Sequence, residues 1–163
     1  MAYLVRPVLI CIALAVQVIR GCPNGWETFD GSCYFIFDIK EPWLAASTTC
    51  NSYHAHLADV KDVHEDNFLK QIINKYHYGH PSDTYFWLGG NDMFVEGDWV
   101  WKGSGHRFRY THWLKGEPNN NNGQDCLLSH ISGTRFYWED RECTSKYNFV
   151  CEVSSGSGAA VIG

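Results

Sequence analysis

The stretch EPNNNNGQDCLLSHISGTRFYWEDREC, residues 117–143, contains an unusual density of oxygen-bearing side chains at both of its ends. Two short apolar segments lie between these ends, and two further acids lie upstream in the chain. Calcium takes about six to eight oxygen ligands and accepts amide carbonyls as well as carboxylates, so this composition favours calcium over zinc or copper. The oxygen donors are Asp92, Glu96, Glu117, Asn119, Asn120, Gln124, Asp125, Glu139 and Asp140.

Pro118 separates two of these donors. An X-Pro peptide bond adopts the cis form at modest cost. A cis bond at this point would turn the side chains of Glu117 and Asn119 toward one place. The motif therefore predicts a loop that gathers ligands around a cation.

Around this region, the sequence predicts two early helices followed by short strands, which is an α+β domain. The first helix is expected over about 42–52, because Pro42 can open it and Trp43, Ala46 and Cys50 share a stripe. A second helix is expected to begin near Asp62, which has capping-box spacing to Glu65, and to end before residue 77. The strand-like segments are 34–37, 86–88, 98–101, 125–128, 135–138 and 149–151.

Residues 1–21 have the features of a secretory signal peptide. Arg6 precedes an apolar run over 7–19 that is too short for a bilayer span, and small residues follow. A retained membrane anchor is the alternative interpretation. Residues 22–153 would then form the domain, and the Ser- and Gly-rich end, 154–163, is expected to be disordered. The candidate cleavage positions are Gly21, Ala13 and Ala15.

Removal of residues 1–21 leaves 11 basic and 18 acidic side chains, a formal charge of −7. This balance provides no basic patch for phosphates, so nucleic acid is not an expected partner. Six cysteines remain, and an even count behind a signal peptide indicates disulfides. The absence of a Cys-x-x-Cys pair also argues against zinc. Six cysteines permit fifteen pairings, and spacing alone does not choose between them.

Taken together, these motifs resemble the C-type lectin domain family, specifically the short secreted, perlucin-like lectins of molluscs. The resemblance covers Cys22 to about Glu152. It implies the long form of the C-type lectin fold, with two helices, short antiparallel strands and a long calcium-binding loop region. It also implies the disulfides Cys22–Cys33, Cys50–Cys151 and Cys126–Cys143. The matching segments are 21–26 (GCPNGW), 87–90 (WLGG), 117–119 (EPN), 124–126 (QDC) and 138–143 (WEDREC).

The resemblance further implies a secreted, calcium-dependent carbohydrate-binding protein. In the family, two neighbouring hydroxyls of a sugar ligate one calcium ion and hydrogen-bond to the side chains that hold it. Carried over by position, the primary calcium and sugar ligands are Glu117, Asn119, Gln124, Glu139 and Asp140. The auxiliary calcium ligands are Asp92, Glu96, Asn120 and Asp125.

Two primary positions depart from the family pattern, since Gln124 replaces the usual Glu and Glu139 replaces the usual Asn. The set still contains three carboxylates and two amides. Each sugar hydroxyl therefore still meets one acceptor and one donor, because a carboxylate only accepts hydrogen bonds whereas an amide also donates. We predict that calcium binding persists. Asn120 stands where Asp is frequent, which should weaken the auxiliary site rather than abolish it.

The order Glu117-Pro118-Asn119 favours mannose-type sugars. A galactose-type site is the alternative, because donor and acceptor are exchanged at Gln124 and Glu139. An aromatic side chain that stacks on the apolar face of the sugar would favour galactose. The aromatic residues near the motif are Trp113, Phe136 and Tyr137.

The expected partners are glycans on microbial or cell surfaces, in pathogen recognition or agglutination. No cysteine is left over, so any homo-oligomer would be non-covalent. The second hypothesis is a matrix or biomineralisation protein of the same fold that uses its acidic surface. An enzyme is not expected, because no nucleophile elbow, phosphate loop or His-Glu-x-x-His motif occurs. Glu139 and Asp140 are also adjacent on a strand, so they point to opposite faces and cannot flank one bond as a glycosidase pair does.

Overall fold

The computed structural model describes residues 21–81, 84–133 and 135–155. Within these ranges the chain forms two helices and an eight-stranded mixed sheet, so the expected α+β class is confirmed. The helices are α1 (Trp43–Ser52) and α2 (Val63–Gly79). The strands are β1 (Glu27–Phe29), β2 (Ser32–Glu41), β3 (His56–Leu57), β4 (Tyr85–Asn91), β5 (Val100–Trp101), β6 (Cys126–Ser132), β7 (Arg135–Arg141) and β8 (Tyr147–Ser154).

The strand order is β1-β2-β8-β4-β6-β7, with β3 added to β8 and β5 added to β4. Among the described pairs, β4 and β8 run parallel, with Phe86 opposite Asn148 and Trp87 opposite Phe149. The expectation of antiparallel strands is wrong for this pair. Parallel strands need a long crossover connection, and here the chain between β4 and β8 supplies it through the long loop, β6 and β7.

Helix α2 begins as predicted, because the Asp62 carboxylate accepts the N–H groups of His64 (2.8 Å) and Glu65 (3.1 Å). Glu65 does not complete a capping box. Its carboxylate accepts the N–H of Lys61 at 2.7 Å and the O–H of Tyr34 instead. The predicted end of the helix before residue 77 is wrong, since α2 runs to Gly79. Neither residue 77 nor residue 78 breaks a helix, so the helix continues until glycine is reached.

The hydrophobic core occupies both faces of the sheet. Neighbouring residues of one strand enter different clusters: Leu127 packs with Trp138 and α2, whereas Leu128 packs with Trp87 and α1. This alternation is the period of two expected for a strand with both faces covered. By the same alternation, Asp140 shares the face of Trp138, and Glu139 shares the opposite face.

Three disulfides form among the described residues, in the pairing that the resemblance implies: Cys22–Cys33, Cys50–Cys151 and Cys126–Cys143. The second ties α1 to β8, and the third joins the start of β6 to the segment that follows β7. Strand β8 and the residue that follows it extend past the predicted domain boundary at residue 153. Ser154 closes β8 opposite Ser32, and the N–H of Ser155 donates to the Gly31 carbonyl at 2.8 Å. The expected signal peptide and the rest of the expected tail lie outside the described residues, and both stay predictions.

Candidate functional site

Asp140, at the end of β7, is the residue on which the loop from Glu117 to Asp125 is built. Its side chain is fully buried, and its Oδ2 accepts the backbone N–H groups of Asn119 (3.0 Å) and Asn120 (2.6 Å). Its Oδ1 is also buried and has no hydrogen-bond partner. A buried carboxylate oxygen without a partner is costly unless a cation or a donor satisfies it. The arrangement therefore fits a metal ligand.

Glu117 and Asn119 lie beside Asp140 and are bonded to one another. The amide of Asn119 donates to both carboxylate oxygens of Glu117, at 2.9 and 2.8 Å, and the Glu117–Pro118 bond between them is cis. Burial, followed by the neighbouring Asp140 carboxylate, raises the pKa of Glu117 to about 7. Two carboxyl groups crowded in this way repel one another when both are ionised, and a cation between them would relieve the repulsion.

Gln124 joins the same group through the backbone of the loop. Its side-chain oxygen accepts the N–H of Asn121 at 3.2 Å, and the same N–H donates to the Asn119 side-chain oxygen at 2.8 Å. The N–H of Gln124 in turn donates to the Asn120 side-chain oxygen at 3.1 Å. These bonds close a tight loop in which Asn120 and Asn122 both have positive φ, a conformation that asparagine tolerates better than most residues.

Glu139 differs from the other four predicted primary ligands, because both of its carboxylate oxygens bond to groups outside this set. Oε1 lies 2.7 Å from Nδ1 of His130, and Oε2 accepts from the guanidinium of Arg141. Only 3% of Glu139 is exposed. Its charge nevertheless contributes to the raised pKa of Glu117. The structure thus bonds Glu117, Asn119, Gln124 and Asp140 into one network and connects Glu139 to different groups.

Sequence reasoning missed His130 and Arg141 as neighbours of the site. Arg141 could have been found, because residues two apart on a strand share a face. His130 comes next to Glu139 through the register of the β6–β7 hairpin, in which Leu128 pairs with Glu139 and His130 with Tyr137. That register is not visible in the sequence itself.

The predicted auxiliary ligands Asp92, Glu96 and Asp125 also come together, with one ligand atom from each lying within 4.8 Å of the others. Asp92 is buried, and its Oδ2 accepts the N–H of Gly97 at 2.9 Å, whereas its Oδ1 has no hydrogen-bond partner. Burial raises the pKa of Asp92 to about 6, and the charges of Glu96 and Asp125 add to the effect. The side-chain oxygen of Asn120 accepts the Gln124 N–H rather than pointing a free oxygen at this group.

The three aromatic candidates for a sugar platform have different surroundings. Phe136 is buried in the core, and Tyr137 packs edge-on against His130 with ring centroids 4.8 Å apart. Trp113 is half-buried and lines a cleft of about 340 Å³ together with Trp99, Phe108, Arg107 and Pro118. Of the three, Trp113 is therefore the one that lines the same cleft as Pro118, in the loop from Glu117 to Asp125.

A comparison with known protein families identifies the family of this domain. The family described as the lectin C-type domain matches residues 39–153, most of the chain. The chain belongs to the C-type lectin domain family. Members of this family are generally carbohydrate-binding rather than catalytic domains, and they generally bind calcium.

Relatives of this C-type lectin domain occur in vertebrates and molluscs. The chain is 35% identical to the CD209 antigen-like protein A of Mus musculus over 143 residues, which is 86% of the chain and 56% of the mouse protein. It is 32% identical to Perlucin of Haliotis laevigata over 133 residues, covering 81% of the chain and 83% of Perlucin. The chain thus spans about half of the mouse relative and most of the mollusc one.

Solved structures of C-type lectin domains confirm the expected fold. The domain of murine dendritic cell inhibitory receptor 2 in complex with N-glycan has a TM-score of 0.71 and 28% identity, covering 82% of this chain and 99% of its own. A Ca²⁺-dependent type II antifreeze protein has the same TM-score at 26% identity, covering 81% and 99%. Proteins of this fold therefore include a glycan binder and an antifreeze protein. Along residues 21–81, 84–133 and 135–155, no helix is both long and apolar enough to cross a membrane.

Proposed function

We propose that this chain is a secreted, calcium-dependent lectin that binds glycans of mannose type on microbial or cell surfaces. The observation that carries the proposal is the buried Asp140 carboxylate, which gives one oxygen to the loop backbone and keeps the other without a partner beside Glu117. A divalent cation supplies what this oxygen lacks. Secretion is supported by the three disulfides, which persist in oxidising compartments.

The primary site comprises Glu117, Asn119, Gln124, Glu139 and Asp140. When bound, calcium offers open coordination positions to two neighbouring sugar hydroxyls. Glu117 accepts and Asn119 donates a hydrogen bond at one hydroxyl, whereas Gln124 donates and Glu139 accepts at the other. Asp140 positions the loop through the N–H groups that it already holds.

An auxiliary calcium site comprises Asp92, Glu96 and Asp125, with Asn120 as a weaker contributor. The unpartnered Asp92 oxygen supports it in the same way as Asp140 supports the primary site. A cation there would tie the segment after β4 to the residue that precedes β6, at the end of the loop.

The proposed mannose preference rests on the order Glu117-Pro118-Asn119. The galactose-type alternative stays open, since donor and acceptor are exchanged at Gln124 and Glu139. A glycan array can compare the single variants Gln124→Glu and Glu139→Asn with the double variant that carries both changes. The sugars that each variant binds distinguish a mannose-type from a galactose-type site. If the exchange is compensatory, each single change lowers binding and the double change restores it. Two harmless single changes would exclude compensation.

Affinity retention tests the function itself. We expect the folded protein to bind mannose-agarose with calcium present and to elute when EDTA removes the ion, with weaker retention on galactose-agarose. Calorimetry should show calcium uptake at millimolar concentrations or below. Retention that does not respond to EDTA, or no calcium uptake, would refute the proposal.

A second candidate function is a non-sugar role in an extracellular matrix. It is favoured by the excess of 18 acidic over 13 basic residues and by the antifreeze proteins that share the fold. In that case, variants at Glu117 and Asn119 would leave binding to calcium carbonate particles unchanged, and retention on sugar resins would be absent from the start.

A further inference from the structure

The guanidinium of Arg141 contacts two groups at the end of β7. One nitrogen donates to Oε2 of Glu139, and another donates to the main-chain carbonyl of Asp140 at 3.0 Å. The Arg141 side chain is only 27% exposed, and that of Glu139 is 4% exposed. Since the pair is partly shielded from water, it is screened less than a pair on an open surface, and the contact with the carbonyl holds the guanidinium in place.

His130 completes the surroundings of Glu139. Its Nδ1 lies 2.7 Å from Oε1, and its ring stacks on Tyr85 with centroids 4.3 Å apart. Both oxygens of Glu139 are therefore satisfied by protein groups. The contrast with Asp140, whose Oδ1 has no partner, is direct. Asp140 therefore has a carboxylate oxygen that a cation could satisfy, whereas neither oxygen of Glu139 lacks a partner.

The direction of the side chains adds to this contrast. Asp140 pairs in register with Leu127 and Glu139 with Leu128, so the two carboxylates leave the strand on opposite faces. Asp140 faces the loop that carries Glu117 and Asn119. To join a cation on that side, Glu139 has to turn away from its present partners, and the bond to Arg141 must then be given up.

We propose that Arg141 competes with calcium for Glu139 and thereby sets the calcium affinity of the primary site. The inference rests on the proposed function, because it presupposes a calcium site at Asp140 and Glu117. Arg141 is a positioning residue: it acts on the ion through Glu139 and touches neither ion nor sugar. Groups that orient a ligand toward a metal typically cost about 10- to 100-fold in affinity when they are changed. Arg141 holds Glu139 away from the ion, so its loss should change the affinity in the opposite direction.

Replacement of Arg141 by Gln removes the competing cation and leaves the buried Glu139 carboxylate with His130 as its remaining protein partner. Oε2 of Glu139 is then available to calcium, so the variant should bind calcium about tenfold more tightly than the unmodified chain. It should also melt at a lower temperature in EDTA and regain stability when calcium is added. Arg141→Lys, which keeps the charge but loses the two-point contact, should give an intermediate affinity.

A double-mutant cycle measured by calcium calorimetry tests the proposal. Arg141→Gln is compared in two backgrounds, the natural chain and Glu139→Asn. The gain in affinity should appear in the first and disappear in the second, because Asn at 139 carries no charge for Arg141 to hold. Arg135→Gln is the matched control, since Arg135 is an exposed arginine at the other end of the same strand.

The outcomes separate this proposal from the function on which it rests. Unchanged or weaker calcium binding by Arg141→Gln, with EDTA-sensitive retention on mannose-agarose intact, would overturn the role of Arg141 alone. An equal gain in the Glu139→Asn background would also overturn it, since the effect would then not pass through Glu139. If no folded variant takes up calcium, the proposed calcium site fails and the role of Arg141 fails with it.

Discussion

Three buried carboxylate oxygens, Oδ1 of Asp59, of Asp92 and of Asp140, lack hydrogen-bond partners within the described part of the chain. Oδ1 of Asp59 lies 3.9 Å from Nδ1 of His56, whereas those of Asp92 and Asp140 lie beside other predicted calcium ligands. Each of the latter two belongs to a carboxylate whose other oxygen accepts a backbone N–H from a neighbouring loop. A carboxylate is thus used twice, once to shape the loop and once to offer an oxygen to a cation. This double use explains why a negative charge is kept in a place where burial opposes it.

Asp140→Asn tests this double use directly, because it preserves shape and removes charge. An amide has one oxygen, so Asn can either accept the loop N–H groups or offer oxygen to calcium, whereas Asp does both. We expect calcium affinity to fall at least about tenfold, as measured by calorimetry. Glu142→Gln, the loss of an exposed acid two residues away, should leave the affinity unchanged. Equal affinities for the Asp140→Asn variant and the natural chain would contradict the role of Asp140.

Among the elements, α2 holds the site strand and the segment that leads into the loop. Asp66 on α2 is 2% exposed and accepts the indole N–H of Trp138 on β7 at 3.0 Å. The same carboxylate bonds to Nδ1 of His112 at 2.6 Å and to the O–H of Tyr110 at 3.3 Å. One helix side chain therefore fixes the strand that ends in Asp140 and the residues just before Glu117.

Asp66→Ala should lower the free energy of unfolding by about 1–3 kcal/mol, because the buried indole N–H of Trp138 loses its acceptor. It should also weaken glycan retention, since β7 and the loop lose a common anchor. Asp62→Ala on the same helix removes only the N-cap, which costs about 0.5–2 kcal/mol, and should leave retention unchanged. Urea denaturation with calcium present, paired with mannose-agarose retention, compares the two variants. Equal effects on retention would contradict the anchoring role of α2.

Over the whole molecule, local patterns predicted the features that depend on neighbouring residues. The start of α2 follows from Asp62, and the peptide chemistry of proline permits the cis bond that the structure has at Pro118. Features set by distant parts of the chain were not predictable in this way. The parallel pairing of β4 with β8 depends on the path of the whole loop region, and the partners of Glu139 depend on the β6–β7 register.

The disulfide Cys126–Cys143 closes a 17-residue segment that contains both strands of the site hairpin. Loss of a crosslink over a loop of this length costs about 3 kcal/mol in the chain-entropy model. The double variant Cys126→Ser, Cys143→Ser should therefore unfold at lower denaturant concentration, and calcium should recover part of the loss, because the ion joins the same region. Denaturation curves with calcium and with EDTA measure this recovery. If the double variant lost the same free energy of unfolding with calcium and with EDTA, the ion and the disulfide would stabilise different regions.

Calcium should reverse the sign of the contribution that Asp92 and Glu117 make to the pH dependence of the domain's stability. Without the ion, burial raises the pKa of Asp92 to about 6 and that of Glu117 to about 7, above the unfolded values of about 4. The folded chain then holds protons that the unfolded chain has released, so the contribution of these two groups to stability falls as pH rises from about 4 to 7.

With calcium, the same carboxylates are kept ionised in the folded state, so rising pH strengthens ion binding, and the contribution of these two groups to stability rises over the same interval. Melting temperatures between about pH 4.5 and 7.5, taken in EDTA and in millimolar calcium, should therefore diverge as pH increases. The Asp140→Asn variant should show a smaller divergence between the two melting curves, because it lowers the affinity for one of the two proposed calcium ions. Parallel curves for the natural chain would mean that these carboxylates do not bind calcium, since a cation that displaces their protons must change the slope.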